Sequence, residues 1–164
     1  MEEQFNDGDI VVIQSLDENN NGMINIAISI FKTKINEFVY TYAYLNTNTD
    51  KIHTFLDNNA HISDYRITMH LATYEEKRLL FRKLACQKQL SWDNKNKTFN
   101  KSQWRACDGN PYYVVTSQGE LWKMCEGMNY IEDDKYYNYG NYFKTKKLAN
   151  VVLNKFKQIL WKNE

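Results

Sequence analysis

Cysteine, histidine, glycine and proline are all scarce in this chain of 164 residues, and each scarcity removes a class of answer. Cys86, Cys107 and Cys125 make an odd set with no CxxC spacing, so neither a disulfide framework nor a thiolate zinc site is indicated, and all three read as reduced thiols. His53, His61 and His70 never stand at the i, i+4 spacing that lets two imidazoles share a metal, so no metal centre is expected. The six glycines form no GxxxxGK[ST], GxGxxG or GxSxG pattern, which leaves no phosphate cradle and no nucleophile elbow. A non-enzymatic protein without a cofactor is the expectation. Long hydrophobic runs are missing too: the stretch Ile26 to Phe31 is far shorter than a bilayer span, and Met1 to Asn6 is acidic where a secretory signal is basic and then apolar. No membrane contact and a cytoplasmic location in a bacterial host cell are expected.

A hydrophobic content of 43% is enough for a real core. Net charge is only +1 but unevenly placed. Met1 to Ala72 carries four Lys/Arg against ten Asp/Glu, or −6, and Thr73 to Glu164 carries seventeen against ten, or +7. Such segregation steers encounter with partners of complementary potential.

The first seventy residues read as β. DIVVIQ, MINIAISIF and EFVYTYAYL alternate in the manner of strands, with Ile24, Ile26, Ile28 and Ile30 on one face, Asn25, Ala27 and Ser29 on the other, and Phe38, Tyr40, Tyr42 and Tyr44 sharing a face of the next strand. Lys51 to Leu56 and Tyr65 to Leu71 extend the set, the last with Tyr65, Ile67, Met69 and Leu71 inward. Short consecutive strands of this kind suggest a small antiparallel β-barrel or half-barrel. At Thr73 the period changes: Thr73 with Glu76 forms a capping box, opening a helix over 74–90. A hairpin over 91–100 follows. A seam near Gln103, ahead of the only proline, Pro111, divides the chain into a β-rich unit, 1–102, and a second unit, 103–164. The second unit reads as a small antiparallel sheet, built on the hairpin YYVVT/ELWKM and an aromatic strand. One helix, 146–162, covers it, with Thr145 as N-cap and a stripe of Ala149, Val152, Phe156, Ile159 and Leu160. The fold class expected is therefore α+β.

Five aromatic rings crowd into Tyr136 to Phe143. As a strand, this stretch would direct Tyr137, Tyr139 and Phe143 one way and Tyr136 and Tyr142 the other. One face would be core and the other a binding surface. Tyr136, Tyr137, Tyr139 and Tyr142, with Lys144, Lys147, Arg78 and Arg82, are the candidate binding residues, since exposed rings among cations can stack nucleic-acid bases. The RNA-recognition-motif pattern is not met by Tyr139-Gly140-Asn141-Tyr142. Glu132-Asp133-Asp134 offers oxygen ligands for a hard cation but lacks the DxDxDG rhythm. Trp92, Trp104, Trp122 and Trp161 read as core anchors.

Several segments carry a resemblance: FxxGDI at Phe5 to Ile10 with IxIFK at Ile28 to Lys32, LATYEEKRLLFRKL leading to LSWD, then WRA, PYYVV and YxYGNYFKT before a terminal helix. Together they resemble small accessory proteins of phages and mobile elements of gut Bacteroides-type bacteria, where LATxEEK, a Trp-Asp hairpin and GNYFKT-like endings recur. These motifs are structural, so the resemblance implies a genomic setting and no residue-level role. The leading expectation is a protein that binds a host macromolecule, a host protein before a nucleic acid, and blunts a defence system. A single-stranded nucleic-acid module, a small-ligand binder for nucleotide signals lined by tyrosines and tryptophans, and a virion component are the alternatives.

Overall fold

A computed structural model of the chain describes residues 4–17, 23–36, 38–54, 61–63, 67–127 and 130–161. They belong to two compact units, Met1–Ser102 and Gln103–Glu164.

Unit one is built on an antiparallel sheet of six strands: β1 (Ile10–Asp17), β2 (Met23–Ile35), β3 (Phe38–Asn46), β4 (Lys51–Thr54), β5 (His61–Ser63) and β6 (Ile67–Leu71). The order is β4-β3-β2-β1-β6, with β5 on the other half of β3. Among the described residues the strands form an open sheet and close no barrel. Both of its faces are packed, which is why all four residues of Ile10-Val11-Val12-Ile13 are buried. One face joins Ile10, Val12, Ile28, Ile30, Ala43 and Leu45 to Leu80 and Leu84 of a helix and to Trp92 and Phe99 of a hairpin. The opposite face gathers Val11, Ile13, Phe31 and Val39 with Phe5, Ala27, Ile67 and Met69. Ser29, expected outward, is consequently buried.

The alternation expected of β3 holds, with Phe38, Tyr40, Tyr42 and Tyr44 at its less buried positions. Val39, Thr41, Ala43 and Leu45 are buried, while Phe38 and Tyr40 are exposed. Two register shifts interrupt its pairing with β2: Ile30 pairs Ala43, Phe31 pairs Thr41 and Thr33 pairs Tyr40, so Tyr42 and then Lys32 stand as extra residues. Bulges of this kind re-aim side chains. Here Ala43 and Leu45 reach one core and Val39 the other. On β6, Ile67 and Met69 are half-buried as expected, whereas Leu71 is exposed.

Helix α1 (Tyr74–Lys83) starts at the full capping box, with the Thr73 hydroxyl accepting from the Glu76 amide and the Glu76 carboxylate accepting from the Thr73 amide at 2.8 Å. It widens into a π-turn at Leu84–Lys88 and stops where Gln89 takes a left-handed φ of 54°. The Gln87 side chain then accepts from the Ile52 amide of β4 at 3.0 Å and donates to the carbonyl of Asp50, just ahead of that strand, at 2.7 Å, which occupies backbone groups at the sheet edge. The hairpin β7 (Leu90–Asp93) and β8 (Thr98–Lys101) turns on Asp93, whose carboxylate accepts from the Asn96 side chain and from the amides of Asn96 and Lys95. These bonds hold its pKa below the ordinary carboxylate value.

In unit two, β9 (Pro111–Val115) and β10 (Leu121–Cys125) form the expected hairpin. The aromatic stretch is not a third strand. Tyr130–Asn138 is a helix, α2, with Glu132 and Asp133 in its first turn, where carboxylates suit the positive end of the helix dipole. It ends in a Schellman motif: the Asn141 amide donates to the Tyr136 carbonyl, the Gly140 amide to the Tyr137 carbonyl, and Gly140 adopts φ +74°. Only Phe143 pairs with the sheet, through reciprocal 2.9 Å bonds with Tyr113. The final helix, α3 (Lys146–Trp161), begins at Thr145, whose hydroxyl accepts from the Leu148 amide at 3.2 Å, and lies against β9 and β10. Among its described residues unit two therefore holds two helices where one was expected. Of the cysteines, Cys125 is a free, half-buried thiol.

Candidate functional site

The core of unit two is polar as well as aromatic. Arg105 and Glu126 are buried and paired, with Arg105 Nη2 at 2.8 Å and Nε at 3.1 Å from one carboxylate oxygen of Glu126. Arg105 also donates to Asp134. Burial opposes its charge, but the Asp134 and Glu126 carboxylates outweigh that and raise its pKa above the ordinary value. Asp133, 1% exposed, accepts from the Tyr112 hydroxyl at 2.5 Å and from the Gly127 amide at 2.8 Å. The Tyr142 hydroxyl donates to Glu126 and accepts from the Ala106 amide at 3.2 Å. Burial, and then these carboxylates, push both phenols far above their ordinary value. Asp133 and Asp134 of the acidic run are thus committed to Tyr112, Gly127 and Arg105. Among the described residues no group of three or more His, Cys, Asp or Glu is arranged to hold a metal.

The candidate binding residues separate. Tyr142 is buried, stacked on Tyr112 with centroids 4.0 Å apart. Tyr137 meets Tyr142 edge-on, donates to the Gln103 carbonyl at 3.1 Å and lies 4.7 Å from the Arg105 guanidinium. Tyr136 is half-buried against the same core. Tyr139 stands out, 84% exposed in the turn after α2. Lys144 lies over the Trp104 ring, and Lys147 is exposed in the first turn of α3. Arg78 and Arg82 belong to unit one. Arg78 pairs with Glu75 at 3.1 Å, and Arg82 is buried. The two-sided aromatic ribbon therefore does not exist, because helix geometry and the Schellman turn fold three of the four tyrosines inward. Among the tryptophans, Trp92 and Trp104 are half-buried against the cores, whereas Trp122 is exposed; the Trp161 side chain lies outside the described residues.

Helix α3 supplies an open surface that the five-residue stripe did not anticipate. Ala149 and Leu153 are buried and Phe156 half-buried. Val152 and Ile159, expected inward, are exposed, together with Leu148 and Val151. At about 100° per residue, these four side chains continue the apolar arc sideways beyond what the hairpin covers, with Lys147 and Lys155 beside them. The signal was in the sequence: LANVVLNKFKQIL has more apolar positions than one two-stranded sheet can hide.

In unit one, a cleft of about 650 Å³ opens beside the second core, floored by Phe5, Phe31, Ile67 and Met69 and flanked by Lys32 and Lys34. The Gly8 turn that places Phe5 is close-packed: φ is +89°, and an added Cβ would stand 2.0 Å from Asn94 Oδ1 and 2.2 Å from Lys97 Nζ. Among the described residues no helix is long and apolar enough to cross a membrane. No protein-family model, curated protein or solved structure matches the chain.

Proposed function

We propose that this chain is a non-enzymatic accessory protein of phage or mobile-element type that engages a bacterial host protein through the exposed face of α3, with inhibition of a defence system as the outcome. The observation that carries the reading is the helix itself. One side is held by β9 and β10, and the adjoining side presents Leu148, Val151, Val152 and Ile159 to solvent. Apolar groups contiguous on a rigid element mark contact surfaces. Lys146, Lys147, Lys155 and Lys157, with no carboxylate on the helix, select a partner whose apolar patch has an acidic rim. The commitment of the buried carboxylates and phenols to one another supports recognition over catalysis, and the resemblance to accessory proteins supports the setting.

Affinity capture from host lysate at low and moderate salt tests this, comparing the native chain with Leu148→Glu/Ile159→Glu. Both substitutions lie at exposed positions, so circular dichroism should be unchanged. A host protein retained by the native chain and lost with the double variant is the expected result. No retained protein, or identical retention by both, overturns the reading.

The run of cations Lys144, Lys146, Lys147, Lys155 and Lys157 favours a second reading, single-stranded nucleic acid bound along α3 with Tyr139 as the exposed ring. Neutralising one lysine that meets a phosphate should lower the salt slope of binding by about 1. Absence of any mobility shift at low salt removes this reading.

A further inference from the structure

The cleft of unit one is lined by residues of that unit and has its own chemistry. Its floor belongs to the apolar cluster on the second face of the sheet, where Phe31 is buried while Phe5, Ile67 and Met69 remain only half-buried. Phe5 and Phe31 meet at 6.0 Å between centroids, tilted by 55°, so the floor is aromatic at one end and aliphatic at the other. Its volume of about 650 Å³ lies in the range of small-molecule sites, roughly 300–1,000 Å³. The polar groups around this floor are unequal in charge. Lys32 and Lys34 contribute two cations. Lys32 Nζ stands 5.5 Å from the Tyr42 ring, and Lys34 is exposed on β2. Among the described lining residues the one carboxylate, Asp7, already accepts from the Tyr42 hydroxyl at 3.4 Å, and the Asp7 carbonyl accepts from Lys97 at 2.6 Å.

We infer that this cleft binds an amphipathic small anion: an aryl or acyl body seated on Phe5, Phe31, Ile67 and Met69, with a single carboxylate, sulfonate or phosphate turned to Lys32 and Lys34. An apolar floor orients nothing by itself, and the paired lysines supply the polar anchor such sites use for specificity. The Gly8 turn holds Phe5 in the floor, so the aromatic end of the site depends on residues 5–9 staying docked on the β7–β8 turn.

The test uses the full chain and two fluorescent probes with closely matched ring systems, anionic 8-anilinonaphthalene-1-sulfonate and uncharged N-phenyl-1-naphthylamine. The anionic probe should bind at one site per chain, about tenfold tighter than the neutral one at low salt, a preference that salt reduces. Lys34→Glu reverses an exposed charge without touching the core and should weaken the anionic probe at least about fivefold while leaving the neutral probe unchanged. Ile159→Glu, on α3, should change neither, which separates this site from the surface proposed for the host partner. Competition by decanoate or by 1-naphthyl phosphate then tells an acyl from an aryl occupant. Equal affinity for the two probes, indifference to Lys34→Glu in a folded protein, loss with Ile159→Glu, or no binding of either probe overturns the assignment.

Discussion

Tyr142 joins three parts of unit two through a single side chain. Its ring stacks on Tyr112 of β9, and its hydroxyl bridges the Ala106 amide and the Glu126 carboxylate. Tyr142→Phe keeps the stack and removes both bonds, so unit two should lose about 1–3 kcal/mol in denaturant unfolding. Arg105→Met is more severe, because Glu126 would stay buried without its counter-charge; about 3–5 kcal/mol is expected in the same measurement. The raised phenol pKa values of Tyr112 and Tyr142 set the sign of a pH effect. Below the ordinary tyrosine value of 10.0 both states keep their protons, and this stabilisation is complete. Above it the unfolded chain ionises while the folded phenols cannot, so stability should fall by about 1.4 kcal/mol per pH unit for each phenol. Tyrosinate absorbance combined with unfolding curves from pH 9 upward checks this, and Tyr142→Phe should halve the slope. None of these pairings had a sequence signature, since Arg105 and Glu126 are 21 positions apart and only folding makes them partners.

At the scale of elements, the signals that proved reliable were local bonds between neighbours. The Thr73–Glu76 box, the Thr145 cap and the β9–β10 hairpin are each closed within a few residues, and each formed where the pattern placed it. Over Tyr136 to Phe143 the local signals conflicted, and tertiary packing decided between them. β-propensity of the tyrosines argued for a strand, while the acidic first turn and Gly140 argued for a helix and its stop, and the helix prevailed because Tyr136 and Tyr137 thereby reach the core beside Tyr142. Gly140→Ala meets no neighbouring atom but must hold φ +74°, so a loss of about 1 kcal/mol in thermal unfolding of unit two is expected from backbone strain alone. Asn141, just beyond, accepts from the Val115 amide at 2.9 Å and donates to its carbonyl at 2.8 Å, which ties the turn to the end of β9.

At the scale of the whole molecule, the charge contrast between the two halves of the sequence does not follow the structural division. The cations of α1 and of the β7–β8 turn fall in unit one, which leaves residues 1–102 with twelve Lys/Arg against thirteen Asp/Glu and residues 103–164 with nine against seven. Positive charge is concentrated instead on α3. Each unit has its own core, so damage should stay where it is made. Leu80→Ala removes a fully buried side chain and should lower the unfolding transition of unit one by about 2–5 kcal/mol, with Tyr142→Phe moving only that of unit two; tryptophan fluorescence and far-ultraviolet circular dichroism across a denaturant series check both.

Hydrophobic periodicity and capping residues were sufficient for the α+β class and for most strands and helices, since those depend on spacing within a dozen residues. Whether the sheet closed, which face of β3 was buried, and where the tyrosine rings went depended on contacts between distant residues. A pair of bulges reassigned one strand between two cores, and a buried arginine with its carboxylates drew the aromatic segment inward. The exposed side of α3 arose in the same way, because only the packed sheet shows how much of an apolar arc it can cover.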